Sequence, residues 1–327
     1  MRSFPKAAAA AFALALAPAV LAAQEAAAPP AITASKAFKL SGYTQVLYSA
    51  PESGIDGLSV RRSRFSLAGD LLKNVRFKAT IDLVKSPVLI DAQFEFMLHD
   101  AASIRVGQFK VPFSLEMSTS SGDLDLINRS QPVNKLSPSL DIGGGGRDIG
   151  AVVFGQAAFL EYTLGLFNGA GANRAETNDR KDLAGRIVVR PASFLSIGAS
   201  FYDGSYSASA GGPSAVRDRI GADLALLHGP FSLKADILQA EDGETLRRGM
   251  YLQGGYAFLS KTLQGVVRFD SYDPDGAADG DRLDTWTIGL NWFLAGKTKL
   301  QVNYETMKDQ AGRTAGRTLL IQLQAGY

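Results

Sequence analysis

The sequence predicts an all-β protein, a 16-stranded antiparallel transmembrane β-barrel with a long inserted third loop. Three observations lead to this fold class. Apolar and polar residues alternate with a period of two along most of the chain, the segments between the alternating stretches are long and short in turn, and the last strand ends on the aromatic Tyr327. Outside the N-terminus no window approaches about 18 consecutive apolar residues, which excludes a spanning helix.

The composition excludes several classes of protein. The 327 residues contain no cysteine, so a disulfide scaffold, a thiolate zinc site and cysteine catalysis are ruled out. The formal net charge is only +2, whereas a nucleic-acid-binding protein usually gathers a basic excess on one face. We therefore expect no nucleic acid among the partners, and a chain that is either globular or crosses a membrane as strands.

The N-terminus predicts secretion through the inner membrane. Arg2 and Lys6 form a basic start, Ala7–Val20 is an apolar run, and Val20-Leu21-Ala22 has the small-x-small pattern of a cleavage site, with Ala23 as the alternative. A retained membrane anchor is the competing interpretation, but the run is short and rich in alanine. The predicted organisation is a signal peptide, a Pro/Ala-rich periplasmic lead-in and a barrel domain, at residues 1–23, 24–36 and 37–327.

About sixteen segments alternate in the way that half-apolar strands do. In one of them Phe77, Ala79 and Ile81 share one face, while Lys78 and Thr80 share the other. Charges of both signs lie in the middle of many polar faces, which favours a water-filled lumen over the interior of a soluble sandwich. The predicted strands cover residues 37–49, 58–70, 75–84, 88–98, 102–111, 148–154, 159–168, 182–190, 195–204, 217–227, 231–240, 248–258, 262–270, 285–293, 298–306 and 318–327.

The connections between these segments alternate in length. Tight links such as 71–74 and 228–230 alternate with long ones such as 168–181 and 271–284. An up-and-down barrel of the outer membrane has tight turns on the periplasmic side and long loops outside, whereas a soluble sandwich has no reason to sort its loops in this way. The short link Lys85-Ser86-Pro87 is an exception, because it falls on the outer side.

The C-terminus predicts an assembly signal. Leu319, Ile321, Leu323 and Ala325 share one face with the terminal Tyr327. Chains folded by the barrel-assembly machinery of the outer membrane commonly end in an aromatic residue that follows alternating apolar positions. We therefore expect this machinery and outer-membrane lipid among the partners; an ordinary final strand is the alternative.

One stretch resembles a known family. Residues 106–116 read Val-Gly-Gln-Phe-Lys-Val-Pro-Phe-Ser-Leu-Glu, and Arg129-Ser130 follows. This resembles the phosphate-selective porin O/P family of Gram-negative outer membranes, with weaker matches at Arg61–Phe65, Leu164–Gly169 and Val267–Asp270. The resemblance implies a 16-stranded barrel, usually trimeric, whose third loop folds into the lumen. It also implies that some members select phosphate or polyphosphate through arginines and lysines.

The longest connection, Pro112–Arg147, follows the fifth strand, and its length indicates a functional loop. We expect a short helical turn at Asp123–Asn128, with its apolar positions on the wall, and a flexible return at Gly143–Gly146. The four glycines lack the Lys-Ser/Thr pair and the helix of a phosphate-binding loop. We interpret this connection as the segment that narrows the lumen.

The sequence predicts a porin, a water-filled channel in the outer membrane of a Gram-negative bacterium. Small hydrophilic or anionic solutes would pass through a homotrimer of such channels by diffusion, without a chemical step, a cofactor or a metal. The candidate constriction residues are Lys110, Arg129, Lys135 and Arg147. The candidate wall cations are Arg62, Arg64, Arg105 and Arg268. Cations that line a pore attract anions, whereas structural pairing with lumenal carboxylates is the alternative role of each arginine.

Strand parity predicts a nearly balanced charge in the lumen, with eight cations against nine anions. We therefore expect a general or mildly anion-preferring pore without a tight phosphate site, because a desolvated phosphate needs several charge-assisted donors. The cations are Arg62, Arg64, Lys78, Arg105, Arg186, Arg219, Lys234 and Arg268. The anions are Asp82, Asp91, Glu95, Asp148, Glu161, Asp223, Asp236, Asp270 and Glu305.

Two other functions stay open, an outer-membrane enzyme and a secreted β-rich adhesin. His99 and His228 fall in predicted turns far apart in the sequence, and no Ser-His pair supports a hydrolase. The aspartates between 273 and 284 form an acidic loop whose spacing departs from that of a calcium loop, so a solvated extracellular loop is favoured over cation binding. Solubility without detergent would indicate the adhesin.

Overall fold

The computed structural model describes residues 38–207, 209 and 211–327. The predicted signal peptide and lead-in therefore lie outside the described residues. Within them, sixteen strands form one antiparallel ring, and the last strand pairs with the first to close it. A further two-residue strand pairs only with the strand that follows it, inside a loop. The closed ring confirms the predicted barrel.

The strands are numbered along the chain, and β10 is the short one inside a loop. Their bounds are β1 Lys39–Pro51, β2 Gly57–Leu72, β3 Val75–Asp82, β4 Leu89–His99, β5 Ala102–Lys110, β6 Arg147–Ala157, β7 Leu160–Phe167, β8 Asp182–Ala192, β9 Leu195–Asp203, β10 Ser205–Tyr206, β11 Ala215–His228, β12 Phe231–Asp242, β13 Thr245–Phe258, β14 Leu263–Asp273, β15 Leu283–Ala295, β16 Thr298–Asp309 and β17 Thr314–Gly326.

Each of the sixteen predicted segments matches a strand of the ring, and the differences lie at strand ends. The largest ones occur at the long-loop end, where β13 and β17 begin earlier than expected. The expected long link between β12 and β13 is a tight hairpin whose central residues are Gly243 and Glu244. Gly243 has a φ of 63°, which a residue without a side chain adopts at no steric cost. The alternation of loop length therefore fails at this link, and the links at residues 83–88 and 310–313 are also short.

The two faces of the strands have the polarity of a membrane barrel. Apolar side chains on the outer face are exposed, among them Ile220 at 59% and Ile288 at 60%. On the inner face, polar side chains such as Gln45, Asn291 and Asn303 are fully buried within the lumen. Since backbone groups are already paired around the closed ring, the outer face is free to meet lipid.

A bulge in β2 changes the predicted alternation near Arg61. Gln45 pairs with Arg62 and the next residue, Val46, pairs with Val60, so Arg61 has no partner on β1. A bulge inserts one extra residue and redirects a side chain. Arg61 and Arg62 consequently both point into the lumen, where Arg61 donates to Asn128 at 2.7 Å and Arg62 to Gln45 at 2.8 Å.

The segment between β5 and β6 folds into the barrel and carries two short helices, α1 Leu115–Ser118 and α2 Gln131–Leu136. Ser114 and Ser130 are their N-caps, since each hydroxyl accepts a hydrogen bond from the backbone N–H three residues later. The helical turn expected at Asp123–Asn128 is wrong: this stretch is a series of bends, although Leu124, Leu126 and Ile127 are buried as expected. Among the described residues, no helix is long and apolar enough to cross a membrane.

The inserted loop packs against one side of the barrel's inner wall through apolar side chains. Phe113, Met117, Val133 and Leu136 are almost completely buried. They share a cluster with wall residues that include Phe109, Phe167, Tyr202, Leu238, Tyr251 and Tyr272. These wall residues belong to strands from β5 to β14, so hydrophobic burial fixes the loop along that part of the wall.

Candidate channel constriction

A cavity of about 1060 Å³ lies between the inserted loop and the short-turn end of the barrel. We call it the basic cavity. Among the described residues that line it, nine are cationic and three are anionic, a surplus of six positive charges. The cations are Lys39, Arg64, Lys78, Arg105, Lys110, Arg147, Arg186, Arg190 and Lys297. The anions are Asp91, Glu95 and Glu161.

Several cations of the basic cavity are held by ion pairs. Arg147 lies 3.1 Å from Asp91, and Lys78 lies 3.4 Å from the same carboxylate. Arg105 pairs with Glu95 at 2.7 Å, and its guanidinium also lies 4.7 Å from the centre of the Phe154 ring. These contacts fix the orientation of the cations. Three other lining cations pair with carboxylates outside the lining, Arg64 with Asp82, Arg186 with Asp223 and Lys297 with Asp123. With these included, nine cations face six carboxylates, and a surplus of three positive charges remains.

Lys110, a predicted constriction residue, lies where β5 passes into the inserted loop. Its ammonium donates to three backbone carbonyls, those of Met117, Ser118 and Thr119, at 2.9, 3.0 and 2.7 Å. An ammonium has three donors, and all three are used here. Carbonyl groups carry no net charge, and Lys110 makes no ion pair within the described residues. Its positive charge therefore acts on the cavity without neutralisation by a carboxylate.

Arg129, the second predicted constriction residue, holds the other end of the same turn. It donates to the carbonyls of Glu116 and Thr119, the latter at 2.8 Å. Burial lowers the pKa of the Arg129 guanidinium and the Glu116 carboxylate opposes that shift, but an arginine stays protonated in proteins. Arg129 does not line the basic cavity. It is half-buried, and its main contacts are with the backbone of the loop.

The structure separates the other predicted residues into groups. Arg147 lines the basic cavity. Lys135 lies on α2 with an exposed side chain and does not line the cavity, so it is not brought together with Lys110. Of the wall cations, Arg64 and Arg105 line the cavity. Arg268 is 2% exposed beneath the inserted loop, between Glu116 and Asp270.

Sequence analysis missed Arg61, because strand parity places it on the outer face. The bulge turns it into the lumen beside Arg62. Neither Arg61, Arg62 nor Arg129 makes an ion pair among the described residues. Two adjacent arginines inside an alternating strand were the available signal, since only a bulge can direct both to one face.

The parity-based balance of eight cations against nine anions does not describe the basic cavity. Asp236 binds the N–H groups of Leu115 and Glu116 at 3.1 and 3.2 Å, and Asp270 accepts from the N–H of Gln131 at 3.3 Å. These carboxylates face inward as predicted, but the inserted loop covers them. Within the described part of the chain, no group of His, Asp or Glu has the arrangement of a metal site.

Comparison with known proteins identifies the family. The family described as "Phosphate-selective porin O and P" matches residues 47–215 and 205–327 of the chain. No curated protein sequence matches the chain.

Solved structures have the same fold at low identity. An anion-selective porin from Comamonas acidovorans is 14% identical, with a TM-score of 0.71 and coverage of 89% of this chain and 100% of that chain. The channel DcaP of Acinetobacter baumannii is 12% identical, with a TM-score of 0.66 and coverage of 90% and 98%. OmpT of Vibrio cholerae in a trimer form is 8% identical, with a TM-score of 0.61 and coverage of 89% and 99%.

The closed barrel, the inserted loop and the family match agree with one another. The protein is an outer-membrane porin of a Gram-negative bacterium, a channel for passive diffusion. By the extent of the match, the chain belongs to the phosphate-selective porin O and P family.

Proposed function

We propose that this porin passes small hydrophilic solutes with a preference for anions. The observation that carries the proposal is the basic lining of the cavity, where nine cations exceed the six carboxylates that line the cavity or pair with those cations. Cations that line a pore lower the entry barrier for anions and raise it for other cations. The anion-selective porin from Comamonas acidovorans, which shares the fold, supports the same direction.

The preference arises from the electrostatic potential of the wall rather than from a tight binding site. A tight phosphate site needs several free charge-assisted donors that converge on one anion. In the basic cavity, Lys110 has already used its three donors on backbone carbonyls. Arg64 and Arg147 are paired with Asp82 and Asp91. These groups attract an anion and leave few donors to hold it.

We assign the constriction to Lys110 and Arg147, which line the basic cavity, and to Arg129, which shares the carbonyl of Thr119 with Lys110. Arg61 and Arg62 add two cations on β2 inside the lumen, where Arg61 binds Asn128, the residue before Arg129. Arg64 and Arg105 supply wall charge on the side that lines the basic cavity. Lys135 contributes little, because it is exposed on α2 and away from that cavity.

Single-channel recording in planar bilayers tests the proposal. In a gradient of potassium chloride the reversal potential should show chloride more permeant than potassium. Phosphate should reduce the chloride current only at millimolar concentration. A cation-selective reversal potential would refute the anion preference, and block at micromolar phosphate would refute the absence of a tight site.

The assembled porin is a homotrimer in this proposal, supported by the trimer form recorded for OmpT of Vibrio cholerae.

Tyr327 serves as the signal for the barrel-assembly machinery in this proposal. Its backbone exchanges hydrogen bonds with Gly42 at 2.9 and 3.1 Å, and its ring lies 5.3 Å from that of Phe65 on the lipid side. Deletion of Tyr327 should slow assembly in cells, and an unchanged yield of folded barrel would count against this role.

We infer that the channel runs no chemical step, against the alternatives of an outer-membrane enzyme or an adhesin. His99 accepts a hydrogen bond from the N–H of Ala101 at 3.0 Å, in the turn after β4. His228 lies at the end of β11 with its ring 5.4 Å from that of Phe194. Both roles are structural, since the one serine among the described contacts of His99, Ser103, donates its hydroxyl to the backbone carbonyl at 3.0 Å and not to the imidazole ring. Cleavage of the precursor after Ala22 or Ala23 stays a prediction.

A further inference from the structure

Glu116 joins the two helical parts of the inserted loop. It belongs to α1, and its Oε2 accepts hydrogen bonds from both the backbone nitrogen and the hydroxyl of Ser130, each at 2.9 Å. Ser130 is the N-cap of α2, and its hydroxyl also accepts from the N–H of Val133 at 3.4 Å. One carboxylate of α1 therefore holds the start of α2.

The same carboxylate fastens the loop to the barrel. Its Oε1 accepts from Arg268 on β14 at 3.2 Å, and Arg268 donates in addition to the carbonyl of Asn128 at 2.9 Å. On the opposite side of α1, Asp236 on β12 accepts the N–H groups of Leu115 and Glu116. Glu116 is 6% exposed. A buried, fully hydrogen-bonded charge of this kind is costly to disrupt, because its partners would be left unpaired.

The cations of the constriction depend on this arrangement. Lys110 donates to the carbonyls of residues 117–119, which follow Glu116 directly. Arg129 donates to the carbonyl of Glu116 itself and directly precedes Ser130. If α1 and α2 separate, Arg129 loses its carbonyl partners on Glu116 and Thr119. The turn whose carbonyls hold Lys110 then loses its attachment to α2. Glu116 does not line the basic cavity, so it makes no direct contact with a solute there.

We propose that Glu116 is a positioning residue of the channel. Together with Ser130 and Arg268 it forms a clasp, the Glu116 clasp, that holds the inserted loop and thereby fixes Lys110 and Arg129 at the constriction. The inference rests on the proposed anion preference and names what maintains it. It also gives a physical role to Glu116, which ends the family-like stretch 106–116, and to the Arg129-Ser130 pair that follows it.

The direction in which ion selectivity changes distinguishes a positioning role of Glu116 from a direct effect of its negative charge. Removal of the negative charge of Glu116 would by itself raise the preference for anions. Loss of the clasp should lower that preference, since Lys110 and Arg129 leave their positions, and should make the open channel noisy. We expect Glu116→Ala and Ser130→Ala each to reduce the ratio of chloride to potassium permeability about twofold or more and to increase current fluctuations.

Ser137→Ala is the matched control. Ser137 lies in the same loop and is fully buried, but its hydroxyl has no hydrogen-bond partner in the described structure. This variant should leave noise and selectivity unchanged. Glu116→Gln, which keeps an acceptor for Ser130 but cannot form the ion pair with Arg268, should fall between wild type and Glu116→Ala.

The heat-dependent gel mobility of each variant shows that the recorded channels are folded barrels. If Glu116→Ala fails to fold, Ser130→Ala, which changes no charge, carries the test. Quiet channels with an increased anion preference in Glu116→Ala, or no difference between Ser130→Ala and Ser137→Ala, would overturn the proposal. If the wild-type channel showed no anion preference the proposed function would fail, while the comparison of noise between the two serine variants would still test the clasp.

Discussion

The inner wall of the barrel has two sides that use their charged residues differently. On the covered wall, β11–β16 beneath the inserted loop, Asp236 and Asp270 accept backbone N–H groups of the loop. On the open wall, β2–β8, most of the charged side chains that line the basic cavity are cations. The difference is that carboxylates of the covered wall hold the loop, while the open wall supplies most of the cations that line the basic cavity.

The physical reason lies in the donors that the loop presents. A chain that lies across the lumen with few internal hydrogen bonds has backbone N–H groups that require acceptors. Carboxylates and amide oxygens of the wall provide them, as Asn303 does for the N–H of Ile127 at 2.7 Å. Lys110 and Lys299 satisfy loop carbonyls in the same way, Lys299 at 2.7 Å from that of Leu124. The loop therefore uses both carboxylates and ammonium groups of the wall as hydrogen-bond partners.

The largest expected effect compares two inward arginines, one on each wall. Arg268→Gln should lower the free energy of unfolding by about 3–5 kcal/mol, because it leaves the buried Glu116 and Asp270 carboxylates without their cation. Arg105→Gln should cost no more than about 1 kcal/mol, since its pair with Glu95 is partly exposed. Denaturant unfolding of the barrel in lipid vesicles measures both values. Equal losses would contradict the division into a covered and an open wall.

A smaller effect compares two lysines of the inserted region. Lys110→Met should reduce the ratio of chloride to potassium permeability roughly several-fold, the effect expected for the loss of one pore-lining cation. The positive charge of Lys110 is not neutralised by a carboxylate of the described residues, so its loss acts directly on the cavity. Lys135→Met makes the same change in charge away from the basic cavity and should leave the ratio nearly unchanged. Reversal potentials provide the measurement. A strong effect of Lys135→Met would place the solute path along α2 instead.

The smallest effect concerns ionic strength. The Debye length falls from about 10 Å at 0.1 M salt to about 3 Å at 1 M, so a preference that comes from the potential of the open wall should weaken steadily over this range. A preference that comes from direct ligands would persist. Exposed pairs outside the lumen, such as Arg313 with Asp309 at 2.8 Å, should contribute nothing, and Arg313→Gln is the control. A selectivity that does not depend on salt would indicate a binding site.

The sequence by itself determined the barrel, its number of strands and the faces of most residues. Period-two alternation is a property of neighbouring residues, and it assigns each side chain of a strand to one of the two faces of the sheet. Loop length also identified Pro112–Arg147 as a functional loop, and the family resemblance implied that it folds into the lumen. Lys110 and Arg147 could be named as constriction residues because they flank that segment, and the structure places both on the basic cavity.

Only the tertiary structure decided which charges face water. Parity assigns Arg105 and Arg268 to the same inner face, yet the loop buries one and leaves the other on the basic cavity. The path of a loop across a lumen depends on contacts between residues that are distant in the sequence, such as Glu116 with Arg268. The bulge at Arg61 also depends on pairing with another strand. A local pattern contains neither kind of information, because both arise from the closure of the barrel around the loop.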